Sequence, residues 1–145
     1  EQDIQNLLQS DEDQLIEQLG MRSAAVERKP ELAAFASPKV VAEEVKAMGI
    51  VDDFKTLGGR ILRKWEKSAY DILCGKDPDD AKAREDVQKA LGLGEAATIA
   101  AISSALVGFG LMPALAPLVA AILVKKFFNP AYREFCAFWG EKLPA

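Results

Sequence analysis

The chain has 145 residues, of which half are hydrophobic and 28% are charged, and it carries a net charge of −4 with no histidine. This composition is typical of a folded globular domain, and the acidic balance argues against a nucleic acid as partner. The lack of histidine excludes catalysis by serine–histidine or cysteine–histidine pairs and zinc sites built on imidazole. We therefore expect a protein that is not an enzyme and that holds no cofactor.

The N-terminal part of the chain predicts two helices and a turn. Residues 2–9 can form a short first helix, and Ser10 predicts the N-cap of a second helix with acidic residues in its first turn. That helix should end before Pro30, because proline disfavours helical geometry in the residue before it. Its apolar positions predict core contacts at Leu15, Ile16, Leu19, Ala25 and Val26.

Ser37 and Pro38 predict the start of a third helix, which Gly49 ends. Residues 51–74 then show the clearest helical period in the chain. Apolar residues recur there at spacings of three and four: Phe54, Leu57, Ile61, Trp65, Ala69 and Ile72. Gly58 and Gly59 lie inside this segment and each costs up to about 1 kcal/mol relative to alanine. We therefore expect a kink at this point or a junction of two helices.

Four cations in the same segment share one helix face, because they lie at positions i, i+3, i+4 and i+7. This basic stripe consists of Arg60, Arg63, Lys64 and Lys67. A basic amphipathic helix can bind an acidic protein surface or an anionic membrane. The simpler interpretation is a solvated helix face, in which Lys67 pairs with Asp71 one turn further on.

The two cysteines, Cys74 and Cys136, lie in segments with helical patterns. Two cysteines in a chain of this length are typical of a reducing compartment, where thiols stay free. We therefore expect both side chains to pack as small apolar groups, and we expect a cytoplasmic protein. Between them, the Asp-Pro-Asp-Asp sequence of residues 77–80 predicts an acidic helix N-terminus, since the glycine and glutamate of a calcium-binding loop are missing.

Residues 96–124 contain no charged side chain, and this stretch is longer than the roughly 20 residues that span a bilayer. Pro113 and Pro117 divide it into two arms, each shorter than a usual membrane-spanning helix. We expect a helical hairpin buried on nearly all sides, because a helix that is apolar all round belongs in a core or a membrane. The alternative is a hairpin that is released into a membrane by a trigger.

The hairpin is followed by two lysines and a group of aromatic residues. This hairpin flank consists of Lys125, Lys126, Phe127, Phe128, Tyr132 and Trp139. Such a set suits a lipid interface. The simpler interpretation, which we favour, is a pair of cations near a helix C-terminus followed by a helix packed on the core.

Taken as a whole, the pattern predicts an all-α fold: a compact bundle of about six to eight helices around a very apolar C-terminal hairpin. We expect one domain over residues 1–145, which can belong to a longer chain. The predicted function is non-enzymatic protein binding, with a partner that the sequence does not identify. The alternative is a membrane-active protein that inserts residues 96–124 and associates with anionic membranes conditionally. An acid trigger would then have to protonate carboxylates near about pH 4–5, because imidazole is missing.

Overall fold

The computed structural model describes residues 2–34 and 53–143, with side chains from Ile4 onward. Seven α-helices occur in these ranges: α1 (Gln2–Gln9), α2 (Glu12–Arg28), α3 (Phe54–Cys74), α4 (Ala81–Leu91), α5 (Glu95–Gly108), α6 (Ala116–Phe127) and α7 (Tyr132–Lys142). Short 3-10 turns cover Pro30–Ala34 and Pro78–Asp80, and the described residues contain no strand. The predicted all-α bundle is confirmed. The predicted third helix, which starts at Ser37, lies outside the described residues.

The N-cap of helix α2 lies one residue later than predicted. Asp11, and not Ser10, is the N-cap: its Oδ1 accepts a hydrogen bond of 2.7 Å from the backbone N–H of Gln14. The Gln14 side chain accepts one of 2.9 Å from the backbone N–H of Asp11 in return. A glutamine three residues after the cap completes this reciprocal pair, which explains the shift. The helix ends at Arg28, before Pro30, as predicted.

Helices α2 and α3 cross at two glycines. A Cβ added to Gly20 would lie 1.9 Å from the carbonyl oxygen of Phe54, and one added to Gly58 would lie 1.9 Å from the carbonyl oxygen of Ile16. The two backbones therefore approach closely at a place where any side chain would clash. Helix α3 continues through this crossing without interruption. The predicted junction of two helices at Gly58 and Gly59 is wrong, because Gly58 serves helix packing within one continuous helix. The alternative of a kink there stays a prediction.

The close crossing also decides which face of α3 is buried. The buried positions are Gly58, Leu62, Glu66, Ala69, Ile72 and Leu73. Of the predicted apolar face, Ala69 and Ile72 are buried, whereas Phe54, Leu57, Ile61 and Trp65 are only half-buried. In the first half of α3, the buried positions thus lie one residue after the predicted ones, and one residue step turns the helix by about 100°. The reason is that the side of α3 that carries Gly58 packs against α2.

Helix α6 forms the centre of the core. Every side chain from Leu118 to Val124 is buried, and α6 packs against α1, α2, α3, α5 and α7. Helix α5, the other arm of the hairpin, buries one face but leaves Ala100, Ser104 and Gly108 at the surface. The prediction of a hairpin buried on nearly all sides is confirmed for α6 and wrong for α5. The free-energy cost of this exposure is low, because the small side chains on α5 leave little apolar area in water.

Helix α7 is joined to the end of α3 by a covalent bond. Cys74 and Cys136 form a disulfide with their Cα atoms 5.7 Å apart. Beside it, the Tyr132 hydroxyl donates a hydrogen bond of 2.5 Å to the carbonyl oxygen of Leu73. The prediction of free thiols is wrong, because the fold brings together two cysteines that are 62 positions apart in sequence. Spacing along the chain carries no sign of this proximity.

Candidate functional site

The basic stripe lies on the outer face of α3. All four of its side chains, Arg60, Arg63, Lys64 and Lys67, are exposed. Lys67 Nζ lies 3.3 Å from Asp71 Oδ2, which is the pairing that the sequence suggested. Arg60, Arg63 and Lys64 form no ion pair with any other described residue. Three neighbouring cations are therefore free to meet an external acidic group.

The aromatic residues of the hairpin flank point inward. Phe127 and Trp139 are buried and their rings stack with centroids 5.6 Å apart. Phe135 and Tyr70 contact the same indole edge to face, at 5.6 and 5.3 Å. Phe128 and Tyr132 are half-buried. In this conformation the aromatic part of the flank belongs to the core, and it offers no continuous surface to a lipid interface.

The two lysines of the flank lie at the rim of the core, where each has a partner. Lys125 Nζ donates a hydrogen bond of 2.8 Å to the carbonyl oxygen of Leu8, in the last turn of α1. Such a contact satisfies a carbonyl that has no partner within its own helix. Lys126 Nζ lies 3.7 Å from Glu12 Oε1. These lysines thus link the end of α6 to α1 and α2.

Glu66 is a buried carboxyl group that sequence reasoning missed. Only 5% of it is exposed, although its neighbours Trp65 and Lys67 lie nearer to solvent. Burial raises the pKa of Glu66, while the nearby Lys126 ammonium lowers it and the Glu12 carboxylate raises it further. The signal that could have found it is its position four residues after Leu62, on the line that begins at Gly58.

An exposed apolar tip lies where α5 ends. Val107 is 40% exposed and Phe109 is 46% exposed. Gly110 follows with a φ of 108°, a left-handed conformation that glycine adopts without strain. The chain turns toward α6 at this tip. Val107 and Phe109 are the most exposed large apolar side chains of the hairpin.

The acidic sequence after α3 acts as a helix start. Asp77 Oδ1 accepts a hydrogen bond of 2.9 Å from the backbone N–H of Asp79, which caps the 3-10 turn ahead of α4. Within residues 2–34 and 53–143, no group of three or more histidine, cysteine or acidic side chains is placed to hold a metal ion. The acidic helix N-terminus predicted there is confirmed.

The fold defines a small all-α bundle in which a disulfide joins the last described helix to α3. No helix in the described part of the chain has both the length and the apolar character needed to cross a membrane. No known protein family matches the chain, and no curated protein or solved structure is significantly similar to it. Its function is therefore inferred from its own surface.

Proposed function

We propose that this chain is a non-enzymatic helical domain that binds an acidic protein surface through the basic stripe. The observation that carries the proposal is the exposure of Arg60, Arg63 and Lys64 on one face of α3, without an ion pair to any described residue. Arginine can form two parallel hydrogen bonds with one carboxylate. A cluster of such donors complements a surface rich in aspartate and glutamate.

Helix α3, which carries the stripe, is anchored to its neighbours at two places. Helix α3 is held against α2 at the Gly20–Gly58 crossing and tied to α7 by the Cys74–Cys136 disulfide near its other end. A rigid platform reduces the ordering that binding requires. The cations therefore present a fixed pattern to a partner, and only their side-chain ends must be ordered.

The test compares two triple variants with the same net charge. Replacing Arg60, Arg63 and Lys64 by glutamine removes the unpaired part of the stripe. Replacing the exposed Lys76, Lys82 and Lys89 by glutamine is the matched control, and each variant changes the net charge from −4 to −7. The probe is a glutamate-rich peptide, and fluorescence anisotropy measures its affinity.

We expect the stripe variant to bind the peptide about tenfold more weakly, since three exposed charge contacts of about 0.5 kcal/mol each add to about 1.5 kcal/mol. The control variant should bind like the wild type. Added salt of about 0.5 M should abolish the difference, because it screens exposed charges. An equal loss in both variants would mean that the stripe is only a solvated face.

The disulfide supports an oxidising compartment as the working location, in place of the cytoplasm expected from the cysteine count. Disulfides persist in secreted and periplasmic proteins and are rare where thiols are kept reduced. Both cysteines take part in this bond. We therefore expect the acidic partner to occupy the same oxidising compartment.

The second candidate function is membrane activity of the hairpin, and the exposed tip at Val107 and Phe109 favours it. Insertion would begin with this tip and would require α6 to leave the core. Co-flotation with phosphatidylglycerol vesicles at about pH 7 and about pH 4.5, together with dye leakage, separates the two functions. Flotation with leakage supports the membrane function, and no flotation at either pH contradicts it.

A further inference from the structure

A surface pocket lies where the ends of α6 and α7 meet the start of α2. Its walls are Glu12, Lys125, Lys126, Phe127, Phe138 and Lys142, and its volume is about 390 Å³. Small-molecule sites commonly have volumes of about 300–1,000 Å³ and combine apolar walls with a few polar groups. The pocket contains no residue of the basic stripe.

Two phenylalanines form the apolar side of the pocket. Phe127 and Phe138 pack edge to face with ring centroids 5.7 Å apart. Phe127 is buried, whereas Phe138 is 43% exposed. An aromatic ring that is supported from below and open above can pack against the apolar body of a ligand.

The charged side of the pocket is mainly cationic, in a chain whose net charge is negative. Three lysines line it against a single acidic residue, Glu12, and the ammonium of one of them, Lys125, is bound to the carbonyl oxygen of Leu8. Lys126 Nζ lies 5.8 Å from the Phe127 ring centroid, and Lys142 Nζ lies 5.7 Å from the Phe138 ring centroid. Lys142 is therefore adjacent to the exposed ring of Phe138, and Lys126 is adjacent to the buried ring of Phe127, on which Phe138 packs.

The ammonium of Lys126 keeps the capacity to bind another anion. Its distance of 3.7 Å to Glu12 Oε1 exceeds the roughly 2.7–2.9 Å of a charge-assisted hydrogen bond. Lys142 forms no ion pair with any residue that the structure describes. Both groups can thus turn toward one acidic head group placed above Phe138.

We propose that this pocket binds an amphiphilic anion. A single carboxylate, phosphate or sulfonate group would be held by Lys126 and Lys142, and an aromatic or alkyl body would lie against Phe138. This site acts independently of the proposed protein partner, because the basic stripe contributes nothing to it.

The first test uses two dyes that share one ring system. 1-Anilinonaphthalene-8-sulfonate carries a negative charge, and N-phenyl-1-naphthylamine is its neutral counterpart. We expect the folded protein to bind the sulfonate at least about tenfold more tightly, because the charged hydrogen bonds to lysine require the anion. Equal affinity for the two dyes would overturn the proposal.

Variants locate the site. The double variant Lys126→Gln and Lys142→Gln should lower the sulfonate affinity about tenfold and leave the affinity for the neutral dye unchanged. Phe138→Ser should weaken both dyes. The control Lys89→Gln, an exposed lysine on α4, should weaken neither. Near-ultraviolet circular dichroism confirms that each variant is folded, and unchanged sulfonate binding in the double variant would overturn the site.

Competition then identifies the source of the anion. Decanoate below its micelle concentration tests a free amphiphile, and phosphatidylglycerol vesicles test a lipid head group. Displacement of the sulfonate dye by either competitor supports the pocket and names the source. Displacement by neither competitor would overturn the proposal.

Discussion

Glu66 lies buried on α3, with Glu12 of α2 and Lys126 of α6 as its charged neighbours. Burial raises its pKa above the ordinary value of 4.5, so the folded state holds this proton more tightly than the unfolded state. The contribution of this group to stability therefore rises as the pH falls through the raised pKa. It is fully present below about pH 4.5, and the ionised form destabilises the fold at neutral pH.

The substitution Glu66→Gln tests this sign. Glutamine keeps the shape and removes the charge, so we expect a higher free energy of unfolding than the wild type at pH 7, because no charge has to be desolvated. The difference should vanish below about pH 4.5. Urea unfolding at several pH values measures it, with the exposed Glu17→Gln on α2 as the control. A variant less stable than the wild type at pH 7 would show that attraction to Lys126 outweighs the cost of burial.

Two neighbouring glycines in α3 should respond oppositely to alanine. A Cβ at Gly58 would lie 1.9 Å from a backbone oxygen of α2, whereas at Gly59 its nearest neighbour is an arginine nitrogen at 3.8 Å. We expect Gly58→Ala to destabilise the protein by about 2 kcal/mol or more through overpacking. Gly59→Ala should stabilise it by up to about 1 kcal/mol through helix propensity.

Thermal unfolding of the two glycine variants provides the measurement. The pair is its own control, because the residues are adjacent and the chemical change is identical. Equal shifts in melting temperature for both variants would mean that α2 and α3 do not cross closely at Gly58.

At the scale of elements, α7 depends on its attachment to α3. The disulfide, the Tyr132 hydrogen bond and the edge-to-face contact of Tyr70 with Trp139 all lie on this interface. Helix α7 has only 11 residues, and a helix of this length is marginal on its own in water. Because α7 also carries Phe138 and Lys142, the pocket depends on the same attachment.

The double variant Cys74→Ser and Cys136→Ser should lose stability. A cross-link between residues 62 positions apart restricts the unfolded chain, which corresponds to about 4 kcal/mol. A melting curve with and without reductant measures this loss. The wild type should melt at a lower temperature in reductant, and the variant should not respond. A wild type that ignores reductant while its thiols are shown to be reduced would contradict the prediction.

At the scale of the whole molecule, release of the hairpin would require the bundle to open around α6. Glu66 and Asp53 are carboxyl groups whose pKa values are shifted in the fold, and neither shift favours opening at about pH 4.5. Glu66 stabilises the fold as the pH falls. Asp53 has its pKa lowered below 3.8, mainly by a hydrogen bond from the Thr56 side chain, so the stability that it contributes is lost only below that pH. Neither Asp53 nor Glu66 therefore provides an acid trigger for opening at about pH 4.5.

A pair of aspartate substitutions tests hairpin insertion directly. Ala101 is half-buried on α5, so Ala101→Asp should fold, whereas Ile122 is fully buried and Ile122→Asp should unfold the bundle. If the hairpin inserts, Ala101→Asp lowers vesicle leakage although circular dichroism shows a folded protein, since a charge in the bilayer costs about 3 kcal/mol. Leakage equal to that of the wild type would contradict insertion through this arm.

Local patterns in the sequence determined most of the helix positions. Pro30, the cap-like residues and the apolar period predicted α2 and α3, and the repeat of 3.6 residues placed the basic stripe on one face. These features depend on interactions within about one turn of backbone. That is why they could be predicted without knowledge of the fold.

Tertiary structure alone decided the remaining features. The disulfide joins residues 62 positions apart, and the pocket joins Glu12 to Lys126 and Lys142. The burial of Glu66 follows from the crossing of α2 and α3 at Gly58. Each of these depends on which helices pack together. The chain's local energetics do not contain that information, because burial and proximity are set by contacts between segments far apart in sequence.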